Sequence, residues 1–323
     1  MQIYLLLTEK CNLRCNYCIR GKKNNSELSL EKLNLLLQEN DFSQDQVLLT
    51  GGEPLLHRNF QEIVQICLDK FKYVAINTNG LLLDKSRIVK NSRIHYQISL
   101  DGDKVEHDGL RGNGTFDKVL ANLKILDQKK ISYNVSSVIN KSNCDQILKL
   151  IPILYNLKNM KYWKVEPQLP FGCGAQEQCV DVEKWNHIVD LLISKAPFRL
   201  KIKKLFNFSV IDNLPEEKRK ELKNRKLSNC GSCKQKIYIY PDLTVYPCTC
   251  LKDFPLGNLQ YNSLRNILKS EKAQVFIDYK INASSKCISC KYFDICKSGC
   301  IGCSYNIFGK LGMGDSRCPL IKK

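Results

Sequence analysis

The sequence predicts an α/β fold: a partial (β/α)6 barrel followed by a small cysteine-rich C-terminal domain. Three observations predict it. Six strand-like apolar runs alternate with helical patterns through the first half of the chain. Residues able to do chemistry recur just after the ends of those runs. From Cys230 onward the chain is dense in Cys, Gly, Tyr and Pro, and ten of its seventeen cysteines lie there. At 323 residues the chain is longer than one typical domain. The pattern divides it into a barrel at 1–180, a bridging helical segment at 181–227 and a cysteine-rich domain at 228–323.

The strand-like runs fall at 2–7, 46–49, 73–77, 94–100, 131–138 and 162–166. Helical periodicity separates them at 29–39, 59–70, 84–91, 115–129 and 143–156. Strands joined by helices pair in parallel, because each crossover must cover a face of the sheet. An open barrel fits better than a doubly wound sheet, since barrel enzymes gather their chemistry at the carboxyl ends of the strands. One amphipathic helix follows at 181–195, then a charged segment at 215–226. The region beyond Cys230 shows only short elements, so inorganic crosslinks are expected to hold it.

Composition excludes several classes. The chain is 43% hydrophobic and 25% charged, with no apolar run of membrane-spanning length. No basic, apolar and small-residue series opens it, so a cytoplasmic location is expected. Seventeen thiols are an odd number for pairing, and that compartment keeps thiols reduced. Cys67 and Cys144, isolated in helical stretches, read as small buried hydrophobes. Net charge is +18, but the lysines are spread without a basic arm. That argues against a nucleic-acid partner and leaves a lysine-rich soluble surface or an acidic protein or peptide partner.

After the first strand comes Cys11-Asn-Leu-Arg-Cys15-Asn-Tyr-Cys18. Zinc would want a fourth ligand, with only His57 and His95 as remote candidates in this half. A [4Fe–4S] cluster on three thiolates instead leaves one iron open. With Tyr17 before the third cysteine, Thr50-Gly51-Gly52-Glu53-Pro54 after strand two, Asn77-Thr-Asn-Gly80 after strand three, and Ser99-Leu-Asp101-Gly102, His107-Asp108, Arg111 and Gly114-Thr115-Phe116 after strand four, the chain resembles the radical S-adenosylmethionine (SAM) superfamily. The resemblance implies that Cys11, Cys15 and Cys18 hold a cluster whose open iron is chelated by SAM. It implies that Gly51 and Gly52 let backbone approach the methionyl group and that Glu53 accepts from its ammonium. Ser99 and Arg111 would contact the SAM carboxylate or ribose, with Tyr17 and Asp101 in the same cofactor-binding set. A guanidinium is a natural bidentate partner for a carboxylate. Pro170-Phe171-Gly172 is similar to a segment near the adenine in related enzymes.

The second cysteine region reads Cys230-x2-Cys233-x14-Cys248, then Cys287-x2-Cys290-x5-Cys296-x3-Cys300, then Cys318. Zinc ribbons would use such pairs equally well, making a binding module rather than an enzyme. The continuous second run with a distant last cysteine is similar to the SPASM extension of peptide-modifying radical SAM enzymes. By that resemblance Cys230, Cys233, Cys248 and Cys300 hold one auxiliary [4Fe–4S] cluster, and Cys287, Cys290, Cys296 and Cys318 a second. Cys250 and Cys303 sit beside ligands and could substitute for them. Two positions depart from the pattern: Leu243 stands where the family has Gly, and Thr249 stands where sulfatase-maturing members carry an Asp proposed as a base.

The resemblance implies an enzyme that reductively cleaves SAM to a 5′-deoxyadenosyl radical and oxidatively modifies a ribosomally made peptide by a C–C or thioether crosslink. The auxiliary clusters would take the leftover electron. Peptide epimerisation, with Cys173 or Cys179 as hydrogen donor, is the alternative; sulfatase maturation and small-molecule dehydrogenation are others. Flavodoxin or ferredoxin is the expected electron donor. The first strand begins at once, so a separate leader-peptide recognition protein is expected. Three four-iron clusters predict about twelve irons per chain and no zinc. Metal analysis of anaerobically reconstituted protein checks this; zinc in place of iron would return the chain to the binding modules.

Overall fold

The computed structural model describes residues 1–21, 24–83, 87–224 and 230–321. Six strands run through the first half: β1 Gln2–Thr8, β2 Gln46–Gly51, β3 Tyr73–Thr78, β4 Ile94–Ser99, β5 Tyr133–Ile139 and β6 Met160–Pro167. Each pairs in parallel with the next, from β1 through β6. The crossovers carry α1 Leu30–Gln38, α2 Phe60–Lys70, α3 Lys104–Arg111, α4 Thr115–Gln128 and α5 Leu150–Tyr155, and α6 Val182–Lys195 follows β6.

Alternation along the strands builds two unlike faces. Ile3, Leu5, Val47, Leu49, Val74, Ile76, Tyr96, Ile98, Val135 and Trp163 are buried and pack with apolar residues of the helices, such as Leu33 and Leu36 of α1 and Ile63 and Val64 of α2. Tyr4, Asn77, His95, Gln97, Ser99, Ser136, Tyr162 and Lys164 point the other way and are half-buried. Caps fix the helix starts: Ser29 accepts from Lys32 N, and Asp181 accepts from Lys184 N.

Several elements differ from expectation. Residues 87–91 are not helical, and the start of the helix expected at 84–91 lies outside the described residues. The helix expected at 143–156 is a turn, a 3-10 segment at Ile147–Lys149 and the short α5. The turn is imposed by Asn143, whose side chain donates to the carbonyls of Asp101 and Val138. Helix α3 was not expected. Asp103 caps it, accepting from Val105 N and Glu106 N, yet only His107 and Leu110 are buried, so its apolar stripe is thin.

The cysteine-rich region continues the barrel sheet. After β7 Leu200–Lys201 beside β6, strand β8 Lys236–Ile239 pairs in parallel with β1, and β9 Thr244–Tyr246 and β10 Gly257–Asn258 extend that edge antiparallel. The ten strands form one sheet in the order β10-β9-β8-β1-β2-β3-β4-β5-β6-β7. No described helix is long and apolar enough to cross a membrane.

Leu243 sits in the β8–β9 turn at φ +66° and is fully buried. Asp242 supports the turn, accepting from the Thr244 amide at 3.0 Å and its hydroxyl at 2.8 Å. A left-handed Leu costs about 1–2 kcal/mol, while losing a buried Leu side chain costs about 2–5 kcal/mol. Packing therefore outweighs strain. Leu243→Gly should destabilise by about 1–3 kcal/mol. Leu243→Ala should cost more, because it keeps the strain and loses the contact. Denaturation midpoints of the two variants and the parent check that ranking.

Candidate metal centres and their surroundings

Cys11, Cys15 and Cys18 lie together in the half-buried loop after β1. Burial raises the Cys15 thiol pKa, and the neighbouring thiols of Cys18 and Cys11 add to that. The backbone of β2's end clamps the loop: Gly52 N donates to Thr8 O, and Glu53 N to Lys10 O, both at 2.8 Å. A Cβ on Gly51 would lie 2.1 Å from Thr8 O, and one on Gly52 the same distance from Lys10 O. The space at both glycines is therefore filled by the cysteine loop itself, a closer reason for glycine than approach to a ligand.

Glu53 is fully buried. Its Oε1 accepts from Thr78 Oγ1 at 2.8 Å and Leu55 N at 3.2 Å, and its Oε2 accepts from Asn79 N at 2.8 Å. Burial pushes its carboxyl up to about 7 despite those donors. A carboxylate offers about four acceptor positions, so one on Oε2 is left for a cation. Asn79 also donates to Asn12 inside the cysteine loop at 2.8 Å.

Asp101, fully buried, gathers the other side of the loop. Its Oδ2 accepts from Arg111 Nε at 2.6 Å and from the Tyr17 hydroxyl, and its Oδ1 accepts from Val138 N at 2.9 Å. Burial alone would raise its pKa, but the Arg111 guanidinium outweighs that and holds the carboxyl below its ordinary value. Asp101, expected in the cofactor-binding set, commits its carboxylate to Arg111, Tyr17 and Val138. The guanidinium lies 5.5 Å from the Tyr17 ring centroid, with Nη1 4.0 Å from Cys15 Sγ. Only Nε is taken by Asp101, which leaves the Nη atoms beside the thiols. Ser99 ends β4 on the half-buried face, paired in register with Ser136 of β5.

No histidine completes a zinc site here. His57 pairs through Nε2 with Leu28 O at 2.9 Å and accepts from Asn59 N at 3.1 Å, while His95 pairs with Asn134. Burial lowers the pKa of both rings. His107 accepts from Asp101 N at 3.1 Å, and burial pushes it down to about 4. Among the described residues no group of three His, Cys, Asp or Glu side chains is placed to hold a single metal ion. Thiolates are the donors an iron–sulfur cluster takes, and three on one loop suit a four-iron cluster with one open corner.

Gly172 has φ +63°, and a Cβ there would lie 2.3 Å from Cys18 O. Cys173 N donates to that carbonyl at 2.8 Å, while its side chain is exposed. Cys179 is half-buried, with Sγ 3.7 Å from Ala175 O and 3.9 Å from Gln168 Nε2. Sequence reasoning missed Arg20, which follows the triplet by two residues. Its Nη atoms reach Thr50 Oγ1 at 3.3 Å and Thr249 Oγ1 at 3.4 Å, linking β2's end to the cysteine-rich region.

Two further thiol groups form in the C-terminal region. Burial raises the Cys233 thiol to about 12, and Cys230 and Cys248 beside it add to the shift; Cys230 in turn senses Cys300. Cys250 hydrogen-bonds Cys248, and Cys303 hydrogen-bonds Cys300, so these two extra thiols stand against the first set. The second set, Cys287, Cys290, Cys296 and Cys318, lines one apolar cavity with Phe206 and Phe293. A shared cavity rimmed by four thiols fits a cluster better than a close-packed core. Cys67 and Cys144 are buried, as expected of packing residues.

Residues 5–151 match the radical SAM superfamily, and residues 230–291 match SPASM, an iron–sulfur cluster-binding domain. The chain is 27% identical to a cysteine-type anaerobic sulfatase-maturating enzyme of Clostridium novyi over 91% of its own length and 85% of that protein's. It is 28% identical to the sporulation killing factor maturation protein SkfB of Bacillus subtilis, over 81% of this chain and 63% of that one. Streptococcus suis SuiB bound to its precursor peptide SuiA superposes with a TM-score of 0.77 at 17% identity, covering 100% of this chain and 76% of SuiB.

Breaking a buried ion pair costs about 3–5 kcal/mol when one charge is left alone, whereas losing one hydrogen bond to a charged group costs about 1.5–3 kcal/mol. Asp101→Asn should therefore lower stability more than Tyr17→Phe. It should also weaken SAM binding by releasing Arg111. Unfolding midpoints and equilibrium dialysis with SAM measure the two effects.

Proposed function

The chain is a radical SAM enzyme carrying a SPASM domain, and from that premise we propose that it oxidatively crosslinks a ribosomally made peptide through a C–C or thioether bond. Cys11, Cys15 and Cys18 hold the SAM-binding cluster. Cys230, Cys233, Cys248 and Cys300 hold one auxiliary cluster, and Cys287, Cys290, Cys296 and Cys318 the other, three [4Fe–4S] clusters in all. When bound, the first cluster and SAM supply a 5′-deoxyadenosyl radical that takes a hydrogen atom from the substrate.

The chain's own residues bind and orient. Glu53 offers its remaining Oε2 position to the SAM ammonium. Arg111, held through Nε by Asp101, presents its Nη atoms to the SAM carboxylate, with Ser99 beside it on the half-buried face. The polar face of the sheet, with Gln97, Ser136 and Lys164, receives the peptide.

The observation that carries the crosslinking reading is the pair of auxiliary thiol sets. A two-electron oxidation leaves an electron that needs a sink, and two further clusters provide one. Relatives named for maturation of a killing factor and for binding a precursor peptide support a peptide substrate. Thr249, held between Arg20 and Tyr240, offers no carboxylate base, which weighs against sulfatase maturation despite the sulfatase-maturating relative. The net charge of +18 favours an acidic peptide and acidic electron donors, flavodoxin or ferredoxin. A cytoplasmic location completes the reading. Epimerisation is the second reading, favoured by the exposed Cys173 thiol tied by its backbone to Cys18.

Anaerobic incubation with SAM, dithionite and peptides encoded beside the gene, read by mass spectrometry, tests the proposal. Crosslinking predicts a loss of about two mass units, two hydrogens, per bond formed. Unchanged connectivity with deuterium taken up from heavy water would replace it with epimerisation, in which Cys173→Ala or Cys179→Ala releases deoxyadenosine without racemised product.

A further inference from the structure

An ion pair with a buried carboxylate stands between the two auxiliary thiol sets. Asp315 is 1% exposed. Its Oδ2 accepts from the Cys300 amide at 2.9 Å and from Arg317 Nη2 at 2.7 Å. Its Oδ1 accepts from Arg317 Nε and from the Arg317 amide, both at 3.0 Å. Through its backbone it accepts from Cys318 N at 2.9 Å and donates to Ser298 O at 2.9 Å. One residue thus holds the main chain of a cysteine from each set. The packing is close: a Cβ on Gly299, at φ +72°, would lie 2.6 Å from Asp315 Cβ.

The two charges face differently. The Asp315 side chain lines the cavity rimmed by Cys287, Cys290, Cys296 and Cys318, and Arg317 does not. Arg317 lies beside Cys300 of the first set and the extra thiol of Cys303. Toward the first set, cation and anion therefore offset each other; toward the second, Arg317 is absent and the only lining cation among the described residues, Lys286, is exposed to solvent, so the buried carboxylate dominates. Reduction adds one negative charge to a cluster, which a nearby cation favours and a nearby anion opposes. In a buried site such fixed charges are weakly screened.

We propose that the Asp315–Arg317 pair sets the order in which the two auxiliary clusters are reduced, holding the first at a higher potential than the second. An electron delivered to this region then rests on the first cluster while the second stays oxidised. Both residues are positioning residues: they act through fixed charge and touch no substrate. The inference rests on the ligand sets proposed above.

EPR-monitored redox titration of the reconstituted holoenzyme tests it, with the SAM-binding cluster identified as the signal that responds to added SAM. Iron content comes first. About eight irons in the parent protein, two clusters instead of three, would overturn the ligand sets and this proposal with them. With about twelve irons, opposite shifts are expected. Arg317→Gln lowers the first auxiliary midpoint, and Asp315→Asn raises the second. Each shift should be about tenfold in the one-electron equilibrium constant, about 59 mV. Arg317→Lys keeps the charge and should leave the midpoint near the parent's, which keeps the test decisive if Asp315→Asn fails to assemble. Shifts in the same direction, no shift with Arg317→Gln, or loss of about four irons from it would overturn the proposal alone.

Discussion

The buried carboxylate of Asp101 is the constraint on which the first site depends. A loop carrying three thiols within eight residues cannot pack itself, so neighbouring strand ends must hold it. Asp101 does this from β4's end, joining Tyr17 to Arg111 and to the β5 amide of Val138. Glu53 does it from β2, reaching Thr78 and Asn79 and through Asn79 the loop residue Asn12. Without Asp101, a guanidinium would remain buried and unpaired beside Cys15.

The same logic extends to the far edge of the sheet. The cysteine-rich region joins the barrel through β8, which pairs in parallel with β1, the strand that leads into the triplet. Beyond that hairpin, long apolar elements are scarce. In the proposed ligand sets, Cys300 of the first lies in sequence between Cys296 and Cys318 of the second, so the two interleave along the chain. Clusters bound this way would crosslink segments that burial alone holds poorly. Fixed charges matter more in such a region, because little bulk solvent screens them.

The six barrel strands were legible because alternation on a two-faced sheet is a strong signal, and Ile3, Leu5 and Leu7 illustrate it. Helix α3 was not, since Gly109 and a run of charged residues hide its stripe. Its Asp103–Glu106 pair, a start signal of the capping-box kind, was there to be read. Strands β8 and β9 were not foreseen beyond the short elements expected after Cys230, and nothing local could say that they would join β1. The cysteine spacing suggested the ligand sets, and Cys287, Cys290, Cys296 and Cys318 line one cavity. The supporting residues Arg20, Asp315 and Arg317 were invisible, because their roles come from tertiary contact. Leu243 was legible as a departure, and it adopts the left-handed turn that glycine would have taken.

The most direct measurement of the central claim is electron–nuclear double resonance on the reduced protein with SAM labelled at its amino nitrogen and carboxylate oxygen. If the Cys11–Cys15–Cys18 cluster keeps one iron free for the cofactor, both labels will show hyperfine coupling to the cluster spin. Those couplings will vanish when the triplet is replaced by alanine. A reduced, fully loaded cluster that shows no coupling to either label would contradict the account.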